Sequence, residues 1–372
     1  MEHFDLYEWP LRVGLAEPES LVIEAALFSP DSDETRVARS PARPLAPSPA
    51  RPLSPRVSLL SYGEGWGAVD LRTLLLFLSR QKQLRKWMET SGWARRLSGR
   101  FVAGDTLPEA LSTCQRINAE GIAVTLDHLG ENVASPAEAA RSRDAYIQAL
   151  TEIVKLGIDG NVSLKLTQFG IDLSLADCRS NVEQLVRQAA QLGNFVRVDM
   201  ESSAYTDRTL DLVTDLHARY AAVGTVIQSY LYRSRKDVEM LCDRGIRVRL
   251  CKGAYLEPPS AAFQRKADVD RNYIELMNLL LEKGVYPAIA THDESIIAET
   301  ERFVVSRRIP RDAFEFQMLY GIRRDIQRRL AAEGYRLRLY VPYGEAWYPY
   351  FMRRLAERPA NVVFLARNLV RR

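Results

Sequence analysis

The chain has 372 residues, 47% hydrophobic and 26% charged, which excludes a wholly disordered or collagen-like polymer. No uninterrupted apolar run approaches the ~20 residues of a membrane-crossing helix. The four cysteines (Cys114, Cys178, Cys242, Cys251) form no CxxC pair, and no secretory apolar segment opens the chain, so the expectation is a reduced, cytoplasmic protein without a zinc or disulfide framework. The net charge of +4 is uneven: from Glu301 onward 16 Arg face 7 Asp and Glu, a net of +9, leaving −5 on the first 300 residues. Such an arginine-rich end either meets something anionic or forms a solvated helix face.

In chain order, Ser29–Arg56 holds seven of the 18 prolines and few large apolar residues. Proline fixes φ and removes donors, so residues 1–56 are expected to form a largely disordered tail with polyproline character. Order is expected from Val57, with residues 57–105 an N-terminal helical segment. There Asp70–Glu89 spaces Leu74, Leu75, Leu78, Leu84 and Trp87 as a helix would, with Asp70 as its cap. The GEGWG run at Gly63–Gly67 has neither the preceding strand nor the spacing of a nucleotide loop and reads as a turn.

From about Thr106 the pattern alternates. Short apolar or β-branched runs fall at Ile122–Leu126, Val162–Leu166, Phe195–Met200, Thr225–Gln228, Ile246–Cys251, Tyr286–Ala290, Phe314–Phe316 and Arg336–Val341. Between them lie amphipathic stretches such as Ala137–Leu156, Leu175–Leu192 and Ala267–Glu282. Eight strands alternating with helices predict an α/β protein whose residues 106–372 form a TIM-type (β/α)8 barrel. The competing open doubly wound sheet would usually show a glycine-rich first turn, which is missing.

In such a barrel the functional side chains come from the C-terminal strand ends and the loops after them. Those positions hold Asp127–Glu131 (DHLGE), Lys165, Asp199, Glu201, Gln228, Arg249, Lys252, Tyr255, Thr291–Asp293, Gln317, Leu319 and Tyr340. Lys165 inside an apolar strand needs a partner, either Asp199 or a ligand anion, because burying an unpaired ammonium costs several kcal/mol. His292 opens a helical stretch and competes between a ligand-lining role and a cap; His217 and Cys251 read as packing residues. After the eighth run, Tyr350, Arg353, Arg354 and Glu357 stand at i, i+3, i+4 and i+7, on one helix face. Paired guanidinium groups beside an aromatic ring suit a small carboxylate held over an apolar, ring-sized pocket.

These residues carry a resemblance. SLKLTQFG, VRVDME, IQSYLYRS, RLCKGAYLEP, ATHDE, FEFQMLYG and YVPYGEAWYPYFMRRLAERPANV, in that order from about Phe101 to the end, resemble the proline dehydrogenase family in its short monofunctional bacterial form. The resemblance implies FAD lying across the barrel mouth and oxidation of L-proline to Δ1-pyrroline-5-carboxylate by hydride transfer, with a membrane quinone as electron acceptor. It implies that Lys165, Arg353 and Arg354 hold the proline carboxylate and that Tyr340, Tyr350 and Leu319 pack on its ring. Arg249 and Gln228 would contact the flavin ring system, and Lys252, Gly253, Tyr255, Thr291 and His292 would line the rest of the cofactor. Asp199 would balance Lys165, and Glu131 would close the site as a gate on Arg353. It further implies peripheral association at the inner face of the membrane and a hand-off of product to a separate pyrroline-5-carboxylate dehydrogenase.

Two other readings compete. A Schiff-base aldolase would use Lys165 as its strand lysine. A non-catalytic protein could bind nucleic acid through the basic C-terminal region, but that gives Lys165 no purpose, and no nucleic-acid partner is expected.

Overall fold

In the computed structural model of the protein, the described residues are 99–357 except 131, with 10–11, 69–70, 81, 87–88 and 91. Eight parallel strands close into a barrel: β1 (Ala123–His128), β2 (Gly160–Leu164), β3 (Val196–Val198), β4 (Val223–Gln228), β5 (Val248–Cys251), β6 (Ala288–Ala290), β7 (Glu315–Leu319) and β8 (Leu337–Tyr343). Closure comes from β8 pairing with β1, Arg338 opposite Ala123 through Tyr343 opposite His128. Each predicted run overlaps one of these strands, so the expected (β/α)8 barrel is the observed fold.

Helix α1 (Leu107–Ala119) precedes the barrel; Glu109 starts it, accepting the amides of Asp105 at 2.9 Å and Thr106 at 3.1 Å. The next helix, α2 (Pro136–Lys155), begins with Ser135 as its cap and proline at its first position, where the missing N–H is no loss. It lays Ala139, Tyr146, Ala149, Leu150 and Ile153 against the sheet. Around the ring follow α3 (Leu175–Gln191), α4 (Thr206–Tyr220), α5 (Ser234–Asp243), α6 (Lys266–Lys283), α7 (Glu294–Arg307) and α8 (Arg324–Ala332). The predicted stretches Ala137–Leu156, Leu175–Leu192 and Ala267–Glu282 correspond to α2, α3 and α6 within a residue at either end. A last helix, α9 (Tyr348–Glu357), follows β8.

Outward-facing strand residues such as Val162, Leu164, Val196 and Val198 are fully buried beneath these helices. The alternate positions are polar, and they meet across the barrel rather than along the sheet. Arg249 on β5 reaches Ser163 on β2 and Asp199 just beyond β3, contacts open only to side chains pointing inward.

Apart from the barrel, Pro10–Leu11 pairs antiparallel with Val69–Asp70, so Asp70 stands at the end of a short strand. Trp87 and Met88 are helical, as expected; the rest of the predicted tail and of the Asp70–Glu89 helix lies outside the described residues, with the Gly63–Gly67 turn. No helix among the described residues is long and apolar enough to cross a membrane.

Candidate active site

The barrel mouth is organised around one carboxylate. Asp199, one residue past β3, accepts from Ser163 Oγ at 2.6 Å, Arg249 Nη1 at 2.6 Å and Tyr340 Oη at 2.9 Å. The guanidinium of Arg249 also lies over the Tyr340 ring, 5.3 Å from its centroid. Its Nε donates to Gln317 Oε1 at 2.5 Å, while Nη2 is buried without a hydrogen-bond partner among the described residues. Burial and the nearby Asp127 and Asp199 push the Tyr340 phenol well above its ordinary value, so it stays protonated and donates to Asp199.

The expected Lys165–Asp199 balance is not the arrangement found. Lys165 pairs with Asp127 Oδ2 at 3.3 Å, and Asp199 serves Arg249. Lys165 is also not within a strand: β2 ends at Leu164, and Lys165 is the extended residue before the short 3-10 turn Leu166–Phe169. Asp127 in turn accepts from Tyr146 Oη at 3.0 Å. Three residues the sequence did not mark for a role, Asp127, Ser163 and Gln317, therefore hold two that it did. The available signal was parity: Ser163 and Lys165 lie two apart and share the inward face.

Leu319, Tyr340 and Tyr350 come together as predicted, in one apolar cluster with Phe101, Leu129, Trp347 and Phe351 that roofs one side of the mouth. Arg354 stacks over the Tyr350 ring at 5.1 Å. Tyr350, Arg353, Arg354 and Glu357 all lie on α9, but the side chains of Arg353 and Glu357 are outside the described residues, as is Glu131, so the gate is too.

The predicted cofactor residues form a second arc. Gln228 is buried and donates to the Glu201 carbonyl at 2.8 Å, while the Glu201 carboxylate takes Thr167 N–H at 3.0 Å and Oγ at 2.7 Å. This ties the loops after β2, β3 and β4 together. Lys252 is held between Asp270 at 2.6 Å and Asp293 at 2.7 Å. His292 is not the cap of α7. That role belongs to Asp293, which accepts the Ser295 amide at 3.1 Å. The imidazole instead accepts the Leu319 amide on Nε2 at 2.9 Å, which fixes the end of β7. Thr291 is buried and receives the Asp293 amide at 3.0 Å. Gly253 has φ +114°, and a Cβ there would meet the Tyr230 ring at 2.4 Å. Tyr255 sits half-buried on the same loop.

An ammonium bound to a carboxylate is not the neutral amine of Schiff-base chemistry, so Lys165 does not fit the aldolase reading. Comparison with known proteins is decisive. The proline dehydrogenase family profile matches residues 110–367. The chain is 42% identical over 302 residues to proline dehydrogenase 1 of Bacillus subtilis, covering 81% of this chain and 100% of that one. It is 42% identical over 309 residues to proline dehydrogenase of Deinococcus radiodurans, covering 81% and 98%. Among solved structures, proline utilization A from Bdellovibrio bacteriovorus inactivated by N-propargylglycine aligns with a TM-score of 0.66 at 29% identity over 70% of this chain, which spans only 32% of that longer protein. Matched over most of its length and to full-length relatives, this chain belongs to the proline dehydrogenase family.

Proposed function

We propose that the barrel mouth oxidises L-proline to Δ1-pyrroline-5-carboxylate with FAD as the hydride acceptor. The observation that carries the reading is Arg249: a buried guanidinium fixed by Asp199, Ser163 and Gln317, with Nη2 still lacking an acceptor. Leaving a buried donor unmet costs about 1–3 kcal/mol, so such an atom fits a ligand that supplies a lone pair. When bound, FAD supplies a two-electron acceptor whose reduced ring carries added negative charge. Arg249 would stabilise that charge, and Gln228, Lys252, Gly253, Tyr255, Thr291 and His292 would hold the remainder of the cofactor.

Lys165, Arg353 and Arg354 would take the proline carboxylate, the two guanidinium groups bidentately. Leu319, Tyr340 and Tyr350 would form the wall on which the pyrrolidine ring packs. Three cations at the site disfavour an ammonium, so the amine binds neutral and keeps the lone pair that assists loss of hydride from the adjacent carbon. Asp127 and Asp199 act through the residues they hold, and Glu131 would close the site over Arg353.

Electrons would leave to a membrane quinone, the protein working from the cytoplasm and meeting the anionic inner face of the membrane through its arginine-rich end. The labile imine product suits direct hand-off to a separate pyrroline-5-carboxylate dehydrogenase. The test is optical. The purified protein shows a flavin band at about 450 nm that bleaches anaerobically with L-proline. A colourless protein that FAD does not reconstitute overturns the reading.

A further inference from the structure

Below the mouth, the barrel interior holds a relay of polar side chains. Arg338 on β8 donates from Nε to both carboxylate oxygens of Glu315, each at 3.0 Å, and from Nη1 to the Val124 carbonyl at 2.8 Å. Tyr286 Oη donates to Glu315 Oε2 at 3.2 Å. Gln317 Nε2 donates to Glu315 Oε1 at 2.5 Å, and Gln317 Oε1 accepts from Arg249 Nε. Glu315, Gln317 and Arg249 are all buried.

The donor inventory gives this relay a direction. A carboxylate only accepts, so it takes the Gln317 amide by its NH2 end. The oxygen end is then left for Arg249, which can only donate. With Nε committed to Gln317 and Nη1 to Asp199 and Ser163, Nη2 is the nitrogen that remains. Burial alone would raise the Glu315 carboxyl, but Arg338, Gln317 and Arg197 outweigh it and hold it below its ordinary value, so it is the charged form that acts.

We propose that Glu315 is a positioning residue: its carboxylate sets the polarity of the Gln317 amide and thereby the rotation of the Arg249 guanidinium, which decides which nitrogen is offered at the mouth. The proposal rests on the reading that Arg249 meets the cofactor, and it adds a residue two hydrogen bonds removed from that contact. A neutral amide at position 315 can present oxygen or NH2, so Glu315→Gln would let Gln317 turn over and loosen Arg249. The double variant Glu315→Gln/Gln317→Glu restores every polarity: the new amide accepts from Arg338 and donates to the new carboxylate, which accepts from Arg249.

The test compares anaerobic flavin reduction by L-proline in the FAD-loaded parent and both variants. E315Q is expected to lower the limiting reduction rate by about tenfold or more while the proline KM stays within about twofold, because substrate-holding groups are untouched. The double variant is expected to recover to within about threefold of the parent. An E315Q protein reduced at the parental rate overturns the proposal, as does a folded double variant no faster than E315Q. Should E315Q not fold, a folded double variant with the parental rate supports the relay, and one about tenfold slower overturns it. Independently of cofactor and variants, the Arg249 Nε–H signal in arginine-15N-labelled parent protein without FAD, assigned by its loss in R249K, should resist solvent exchange; exchange as fast as at exposed arginines overturns the relay. A parent that proline does not bleach overturns the functional reading instead, and leaves the Nε–H measurement to decide the relay.

Discussion

At the scale of single residues, the mouth works by pairing each cation with an anion of its own. Asp127 holds Lys165 and Asp199 holds Arg249, while Arg354 rests on the Tyr350 ring. If Arg354 binds the substrate carboxylate, Arg354→Ala should raise the proline KM about tenfold or more with little change in kcat. Steady-state kinetics check this, and an unchanged KM would move the carboxylate site elsewhere. Gly253 is required by its own protein: its φ of +114° and the Tyr230 ring 2.4 Å from a would-be Cβ leave no room for a side chain. Gly253→Ala should therefore cost about 1–3 kcal/mol and lower the melting temperature before any effect on cofactor is considered. A variant that melts with the parent would show that the loop relaxes freely.

Among elements, the helix starts are where local sequence and site chemistry meet. Asp293 caps α7 through the Ser295 amide and pairs with Lys252, so one carboxylate serves a helix and a loop. Asp293→Ala should destabilise by about 1–2 kcal/mol, the usual loss for a cap, and should also release the Lys252 loop. Thermal melts and limited proteolysis of the 252–266 segment check both parts; an unchanged melting temperature would remove Asp293 from the capping role. The strand ends contrast with this. Their register is set by barrel closure, and a shift of one residue would turn Ser163, Arg249 and Gln317 out of the interior and bury apolar neighbours there.

For the whole molecule, acid stability follows from carboxylates held in their charged form. Lys252, Ser295 and Lys266 keep the Asp293 carboxyl well below the usual range against the opposing effect of burial, and Arg338, Gln317 and Arg197 do the same for Glu315. Because these groups bind protons more weakly folded than unfolded, their stabilisation is fully present above the unfolded value of about 4 and is lost as pH falls through the folded values. The melting temperature should thus be flat from about pH 6 to 5 and fall below about pH 4. In Asp293→Ala that fall should be shallower; parallel curves for parent and variant would exclude Asp293 from the acid transition.

The sequence by itself determined the barrel, since the alternation of short apolar runs with amphipathic helices is a local property and recurs in each of the eight units. It also marked which positions stand at strand ends, and so Lys165, Asp199, Arg249 and Tyr340. What only the tertiary structure decided was who pairs with whom. Asp199 meets Tyr340 across 141 intervening positions and Arg249 across 50, whereas Asp127 rather than Asp199 reaches Lys165. Period-two parity says that a side chain points inward but not which inward neighbour it faces; that depends on how the strands tilt and stagger when β8 closes on β1. Inside a closed barrel each buried charge must find a partner, and closure alone fixes which partners lie within reach.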